Sequence, residues 1–518
     1  MKREFVVVFI AAVVLYLPAS EYGFVQDDRA IIASNPAAHS IGAAFLAFKD
    51  PYWPRESGAG LYRPVTILSY AIDWSISGGS AAWLHVMNAL WHGLATVLLV
   101  CVIARWMPPL AAAGAGVVFA WHPVHVEAVA SLVGRAELLA AVGIFGAVLA
   151  ARRAAWAGAV LCAVLAMLSK EHGVIVGVVL LLDRWLRPQP LTPVPSERGA
   201  TREALFWVAL GLATVGYLIV WSLIGKAATG DTAAVFYGRG FFGRLAVALP
   251  AVLRATVLLF WPVSLSSDYS PRVIPAYSGI SFAALLGCCV IVATPIVVIR
   301  YRRRAPAISF ATGLAALSYL PTSNLLFPSG IVLAERDLYL AVALPATIAG
   351  AAVSWLQAKR GVRPAIVIAG VLALTLGARS FVRLPAWRDN RSQLLTLLVE
   401  HPESYLGHAS AAAVLAGRGD TADARRQYRL ADSLFAGDPY LTAANAIFLL
   451  GLGDTLAAAP LVARLSASPE TGPANRVRWR AKFLFELRRG EPMAARAIAD
   501  SARRSFPSED AWYRPYLQ

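Results

Sequence analysis

The chain has 518 residues, 58% of them hydrophobic and only 15% charged, with 47 Lys and Arg against 31 Asp and Glu. Its several apolar runs of about the 17–25 residues that cross a bilayer exclude an ordinary soluble domain and describe a polytopic membrane protein. The net charge of +16 would suit nucleic acid, but the basic residues sit in short clusters between apolar runs, where they set topology, so no nucleic-acid partner is expected.

The opening MKREFVVVFIAAVVLYLPAS has the layout of a secretory signal, with a basic start and small residues at Ala19 and Ser20. Because more spans follow, it reads as an uncleaved first span at 4–20, with Lys2 and Arg3 holding the N-terminus in the cytoplasm. Further spans are predicted near 82–104, 110–122, 137–151, 154–169, 172–183, 204–223, 280–299, 306–321, 336–356 and 364–383, about 11 in all. The basic clusters at Arg105, Arg152 and Arg153, 184–202, 300–304, and Lys359, Arg360 and Arg363 then all face the cytoplasm. That agreement requires the apolar stretch 245–263 not to cross. With Pro250, Arg254 and Pro262 inside it, it is predicted as an in-plane or re-entrant helix. Two long loops, 21–81 and 224–279, share the extracytoplasmic side with everything after 383. Cys101, Cys162, Cys288 and Cys289 fall in predicted spans and offer no disulfide framework.

Beyond residue 384 the hydrophobicity falls, and the chain divides into a membrane module, 1–383, and a soluble helical module, 384–518. Gly419-Asp420, Gly453-Asp454 and Gly490-Glu491 recur at spacings of 34 and 37 residues, near the period of the tetratricopeptide hairpin. Ala424, Tyr428 and Ala431 follow the first turn, Ala458, Val462 and Leu465 the second, and Ala495, Ala499 and Ala502 the third, where the second helix of a hairpin packs on the first. Pro439, Pro469 and Pro507 end the units. A generic helical bundle is the plainer reading; stacked hairpins would form a groove suited to peptides.

Candidate chemistry gathers at the extracytoplasmic ends of the spans. FVQDD, 24–28, places Asp27 and Asp28 where the chain leaves the bilayer, so that a carboxylate there can meet a lipid headgroup and a water-borne acceptor together. Adjacent residues point in different directions, so one acid could act as base while the other orients the acceptor or contacts a metal. AWHPVHVEAVASLVGRAELLA, 120–140, supplies His122, His125, Glu127, Arg135 and Glu137. Its histidines lack the i, i+4 spacing of a helical zinc site, which favours a hydrogen-bonded cavity lining. LSKEHG and LAERDLYL add Lys170 with Glu171 and Arg336 with Glu335 beside it, and YRP adds Arg63. Each is a cation near the depth of a lipid phosphate or, more plainly, half of an internal ion pair. No P-loop, GxSxG or Cys-x-x-Cys motif is present, and no Gly-x-Gly-x-x-Gly opens a helix after a strand.

FVQDDRAI with Asn35 following, LYRPVTILSY, the stretch LHVMN to HG (84–93), HPVHVEAVASLVGRAELLA, SKEHG and NLLFPSGIVLAERDLYL, in that order and followed by the repeats, resemble the transmembrane and tetratricopeptide-repeat protein O-mannosyltransferases. These are glycosyltransferases of the GT-C class. The resemblance covers nearly the whole chain, although about three degenerate hairpins replace the long array of the animal proteins. The short N-terminus and the Ala- and Arg-rich composition look bacterial, which suggests an inner-membrane location and an acceptor of its own.

The resemblance implies transfer of a sugar, mannose in the best-known members, from a polyprenyl (dolichyl) phosphate to Ser or Thr of a protein, with inversion. Asp27 matches the acidic residue at the end of the first span and would be the base, with Asp28 its neighbour. Lys170, Arg336, Arg135 or Arg63 would stabilise the leaving phosphate. A divalent metal, Mg or Mn, assists some enzymes of the class and not others. Two further readings stand beside this one: modification of a lipid or envelope glycan, and a non-catalytic membrane scaffold.

Overall fold

The structure is a computed structural model and describes residues 2–54, 60–187, 197–225, 232–276, 279–467, 474–506 and 509–517. Among the described residues every regular element is helical, apart from one isolated bridge between Pro271 and Ile274. Eight helices among the described residues are long and apolar enough to cross a bilayer: Arg3–Glu21, Ala81–Ile103, Leu132–Arg152, Gly199–Gly225, Phe241–Phe260, Phe282–Tyr301, Leu340–Arg360 and Val362–Trp387. The protein is an all-α, multi-pass membrane protein.

Four expected spans are shorter than a crossing. Pro109–Ala120, Trp156–Ser169, Val176–Leu186 and Pro306–Tyr319 have 12, 14, 11 and 14 residues. At ~1.5 Å per residue they reach about 17–21 Å, against a hydrocarbon core of about 30 Å. The polar motifs are what shorten them. Pro109–Ala120 stops just before His122 and Pro123, and Trp156–Ser169 stops where Lys170 turns to extended backbone. A 3-10 turn over Glu171–Ile175 then leads into Val176–Leu186. Irregular backbone at this depth is tolerated only where it is buried in protein or lines a polar cavity.

The helix Arg135–Arg152 joins two polar layers. At its C-terminal end Asp183 accepts from Arg152 and Arg187, and Arg302 stacks over Trp185 at 5.0 Å. At its N-terminal end the segments carrying Asp27, Glu127, Lys170 and Arg336 converge. Small residues let the helices between these layers close up: a Cβ on Gly143 would meet the Cys162 carbonyl, and one on Gly350 the Ala111 carbonyl. The helix Phe241–Phe260 runs along Phe282–Tyr301, and a Cβ on Gly287 would strike the Leu249 carbonyl. Near its start Arg244 donates to the Leu325 carbonyl, and near its end the Leu259 carbonyl accepts from His122.

The described parts of the first long loop carry regular structure. They fold a helix, Pro64–Ser77, whose Thr66 hydroxyl donates to the Ser169 carbonyl at 2.8 Å and whose Asp73 pairs with Arg135.

After Arg383 come Asn390–Glu400 and then three helix–turn–helix units: Tyr405–Gly417 with Thr421–Leu434, Pro439–Gly451 with Thr455–Ala467, and Ala474–Arg488 with Pro492–Ser505. Gly419, Gly453 and Gly490 occupy the turns with φ of +82°, +78° and +80°, a left-handed conformation that glycine enters without strain. Asp420 and Asp454 cap the helices that follow by accepting from Asp423 and Ala457 amides. The nine small and apolar positions expected to pack the second helices are all buried. Pro439 opens the second unit; Pro469 and Pro507 lie outside the described residues. The helical module is tied back onto the membrane module. Arg383 pairs with Glu400, Ser404 donates to Asp268, and the Leu265 carbonyl accepts from His401.

Candidate active site

The site is built from five sequence segments that meet where the short helices unwind. Around residues 335–338 the backbone makes one 3-10 turn, in which successive side chains leave about 120° apart. Glu335 therefore points into the protein, Arg336 toward Glu127, and Asp337 toward Lys170. The turn Glu171–Ile175 does the same for SKEHG. Lys170 pairs with Glu137 and, at 2.8 Å, with Asp337. Glu171 grips Arg63 through two bonds of 2.9 and 2.8 Å and also accepts from the Tyr62 amide. Every one of these partners comes from a distant segment. Neither Glu171 nor Glu335 pairs with the cation beside it in sequence, because neighbours on a tight turn diverge.

Arg63, Lys170 and Arg336, with Glu137, Glu171 and Asp337, line a cavity of about 380 Å³ whose walls also include Asp27, Tyr52 and Trp221. A second, larger cavity of about 660 Å³ lies between the membrane module and the helical module, with Asp27, Glu127, Arg336, Asn390, Tyr405 and Tyr440 among its lining residues. Asp27 and Arg336 belong to both. Asp27 is half-buried, and no side-chain hydrogen bond holds its carboxylate among the described residues. Arg336 keeps 30% of its side chain exposed, against 14% for Arg63 and 7% for Lys170, so it is the cation freest to turn toward a ligand.

Asp28 is different. It is fully buried, lines neither cavity, and accepts from the Val25 amide at 3.0 Å and the Val133 amide at 2.8 Å. Burial pushes its carboxyl up to about 7, against those amides, which pull it down. It ties the FVQDD turn to the segment before Arg135 and leaves Asp27 as the acid that faces the cavities.

Of the cations expected to meet a phosphate, Arg63, Lys170 and Arg336 reach the smaller cavity and Arg135 does not. Arg135 is fully buried under Tyr70 and spends its donors on Asp73, the Asn88 side-chain oxygen and the Leu84 carbonyl. Of the expected polar lining, Glu127, Glu137 and Glu171 reach a cavity; His122, His125 and Glu335 do not. His122 donates to the Leu259 carbonyl and His125 to the Tyr339 carbonyl, while Glu335 accepts from the Ser266 amide and the Tyr269 hydroxyl. All three join segments. Among the described residues no three His, Cys, Asp or Glu side chains gather as ligands for a metal such as Mg or Mn.

Sequence reasoning missed Asp337, His172 and Trp221, which stands with Tyr52 and Trp53 in an aromatic wall. The charge alternation in ERD was a signal for Asp337. Nothing local pointed to Asn390, Gln393 or Tyr405, which come from the helical module.

Burial also pushes Glu335 up to about 7 from its ordinary value of 4.5. The folded state then holds this proton more tightly than the unfolded chain does. Its contribution to stability is complete below about pH 4.5 and is lost as pH rises through 7. Glu335→Gln keeps the accepting oxygen and cannot ionise. Its melting temperature should match wild type at pH 4.5 and exceed it by about 2–4 °C at pH 8 in detergent thermal scans; a constant gap would refute the linkage.

A charge-lined cavity at the ends of broken membrane helices, opening beside a docked helical module, marks the chain as a multi-pass membrane protein with a candidate catalytic centre. Among known proteins it is similar to a protein O-mannosyl-transferase of Caenorhabditis elegans, at 26% identity over 438 residues, which is 82% of this chain and 62% of that protein. It is also similar to the protein O-mannosyl-transferase TMTC3 of Homo sapiens, at 25% identity over 61% of this chain and 39% of the relative. A shorter region is 40% identical to the protein O-mannosyl-transferase Tmtc2 of Drosophila melanogaster, over 25% of this chain and 15% of that protein. The chain thus spans less than two thirds of each of these relatives. No family model matches it. Among solved structures, ArnT from Cupriavidus metallidurans bound to undecaprenyl phosphate aligns over 98% of this chain and 79% of that one, with a TM-score of 0.38 and 15% identity, too weak a likeness to bear on the site.

Proposed function

We propose that this protein is a GT-C type membrane glycosyltransferase that moves a sugar, mannose by analogy with its relatives, from a polyprenyl-phosphate carrier to a Ser or Thr hydroxyl of a protein. The observation that carries this reading is that Asp27 and Arg336 stand at the junction of two cavities. One is lined by three cations, each held by a carboxylate, that can meet a lipid-linked phosphate, and the other opens toward the helical module, as a polypeptide acceptor requires.

Asp27 accepts the proton of the acceptor hydroxyl as its oxygen attacks the anomeric carbon. The bond from that carbon to the phosphate oxygen breaks, its electron pair leaves with the phosphate, and the configuration inverts. Negative charge grows on the phosphate as the bond breaks, so cations on the donor side hold the transition state more tightly than the ground state. Arg63 and Lys170 are fixed by their carboxylates and shape the field, while Arg336, tethered to Glu127 and more exposed than either, closes on the phosphate. A phosphate leaves without a general acid.

The extracytoplasmic face is the favoured side. Arg152, Arg187 and Arg302 gather in the opposite layer, which is where the positive-inside rule puts cytoplasmic residues. Both ends of the Phe241–Phe260 helix touch the site layer, which supports an in-plane placement. The N-terminus is then cytoplasmic, and the helical module, read as short tetratricopeptide-like repeats, holds the acceptor outside the inner membrane.

The test supplies membranes containing the protein with radiolabelled mannosyl polyprenyl phosphate and separates protein, lipid and glycan fractions. Label in protein that alkaline β-elimination releases is the expected result. Label confined to lipid or glycan would replace the protein acceptor, and no transfer from any polyprenyl-linked sugar would leave a scaffold.

A further inference from the structure

Gln26, one residue before Asp27, has φ of +46°, a left-handed backbone that a residue with a Cβ adopts only under constraint. Part of that constraint is local: the Val25 carbonyl accepts from the Asp28 amide at 3.0 Å, and the Gln26 carbonyl from the Arg29 amide at 3.2 Å. Asp28 fastens the far side of the turn to Val133. The remaining anchor lies outside the membrane module. The Gln26 amide donates to the side-chain oxygen of Asn390 at 2.7 Å, and the Gly23 amide donates to the Arg388 carbonyl at 3.1 Å. Asn390 stands at the first position of the helix Asn390–Glu400, directly after the capping residue Asp389, which accepts from the Ser392 amide. The cap fixes that helix end, and the helix end presents the Asn390 oxygen to the strained amide.

We infer that Asn390 is a positioning residue for the transfer: its side-chain oxygen pins Gln26 and thereby aims Asp27 at the junction of the two cavities. The helical module then completes the active site as well as facing the acceptor. The inference rests on the reading of Asp27 as base.

Asn390 also lines the larger cavity, so it could instead touch the acceptor, and the two roles separate in the kinetics. Full-length wild type, Asn390→Ala, Asn390→Asp and Asp27→Asn are compared for transfer and for amide hydrogen exchange across 22–28. Positioning predicts that Asn390→Ala loses about tenfold to a hundredfold in kcat with acceptor KM within about twofold, and that the Gln26 amide exchanges faster. Asn390→Asp keeps an accepting oxygen and should recover most of kcat and the slow exchange. Wild-type kcat in Asn390→Ala, a rise in KM alone, or unchanged exchange at Gln26 would each overturn the inference while leaving Asp27 as base. Asp27→Asn as active as wild type would remove the base assignment and this inference with it.

Discussion

Replacing Asp27 with Asn is expected to lower kcat about a thousandfold while leaving the protein folded and able to bind its lipid donor. The carboxylate is half-buried and holds no other side chain or amide among the described residues, so an isosteric amide removes a proton acceptor and little else. Asp28→Asn should behave in the opposite manner. That side chain receives two backbone amides in a fully buried position, and an Asn there turns an N–H toward one of them. The expected outcome is a destabilised FVQDD turn and reduced thermal stability, with residual activity following the folded fraction. Melting curves beside single-turnover rates distinguish the two. Equal kinetic losses at equal stability would mean that the division of labour between the two acids is wrong.

The second large effect separates the cations. Lys170 is buried between Glu137 and Asp337, and Lys170→Met strips both acids of the ammonium they share. Removing one partner of such a buried group costs about 3–5 kcal/mol, so this variant should be poorly recovered from detergent extraction. Lys170→Met with Asp337→Asn should regain part of that loss. Arg336→Gln should fold, because 30% of the Arg336 side chain is already exposed and the backbone amide of residue 336 still donates to the buried Glu127, and should lower kcat by about a hundredfold through loss of a donor to the departing phosphate. An Arg336→Gln enzyme with wild-type kcat, or a Lys170→Met enzyme with wild-type melting, would show that the roles drawn from their burial are reversed.

Much of this arrangement was legible along the chain. Asp27 stood out because a carboxylate pair at the end of an apolar run is expensive unless used, and the Gly-acid turns announced three hairpins because only a left-handed residue closes them. The motifs that line the cavity were also legible as motifs. Their pairing was not. SKEHG and ERDLY each place a cation beside an acid, which invites pairing neighbours, but a 3-10 turn sends neighbours apart and partners arrive from elsewhere. Arg135 and the two histidines looked like cavity groups because nothing local reveals that Asp73, Leu259 and Tyr339 consume their hydrogen bonds. The short helices were legible in outline, because the polar motifs that end them, WHP and SKEHG, stand in the sequence. Asn390 lies 364 residues from Gln26, and no periodicity carries information over that distance.

The central claim is that donor phosphate and acceptor hydroxyl meet at Asp27 from two different cavities. The most direct measurement is an electron cryomicroscopy structure of the Asp27→Asn protein with a mannosyl polyprenyl phosphate and a Ser/Thr peptide bound. The account predicts the phosphate among Arg63, Lys170 and Arg336, the peptide between Asn390 and Tyr440, and its hydroxyl within hydrogen-bond reach of residue 27. A phosphate bound away from those cations, or a peptide whose hydroxyl lies far from residue 27, would contradict it.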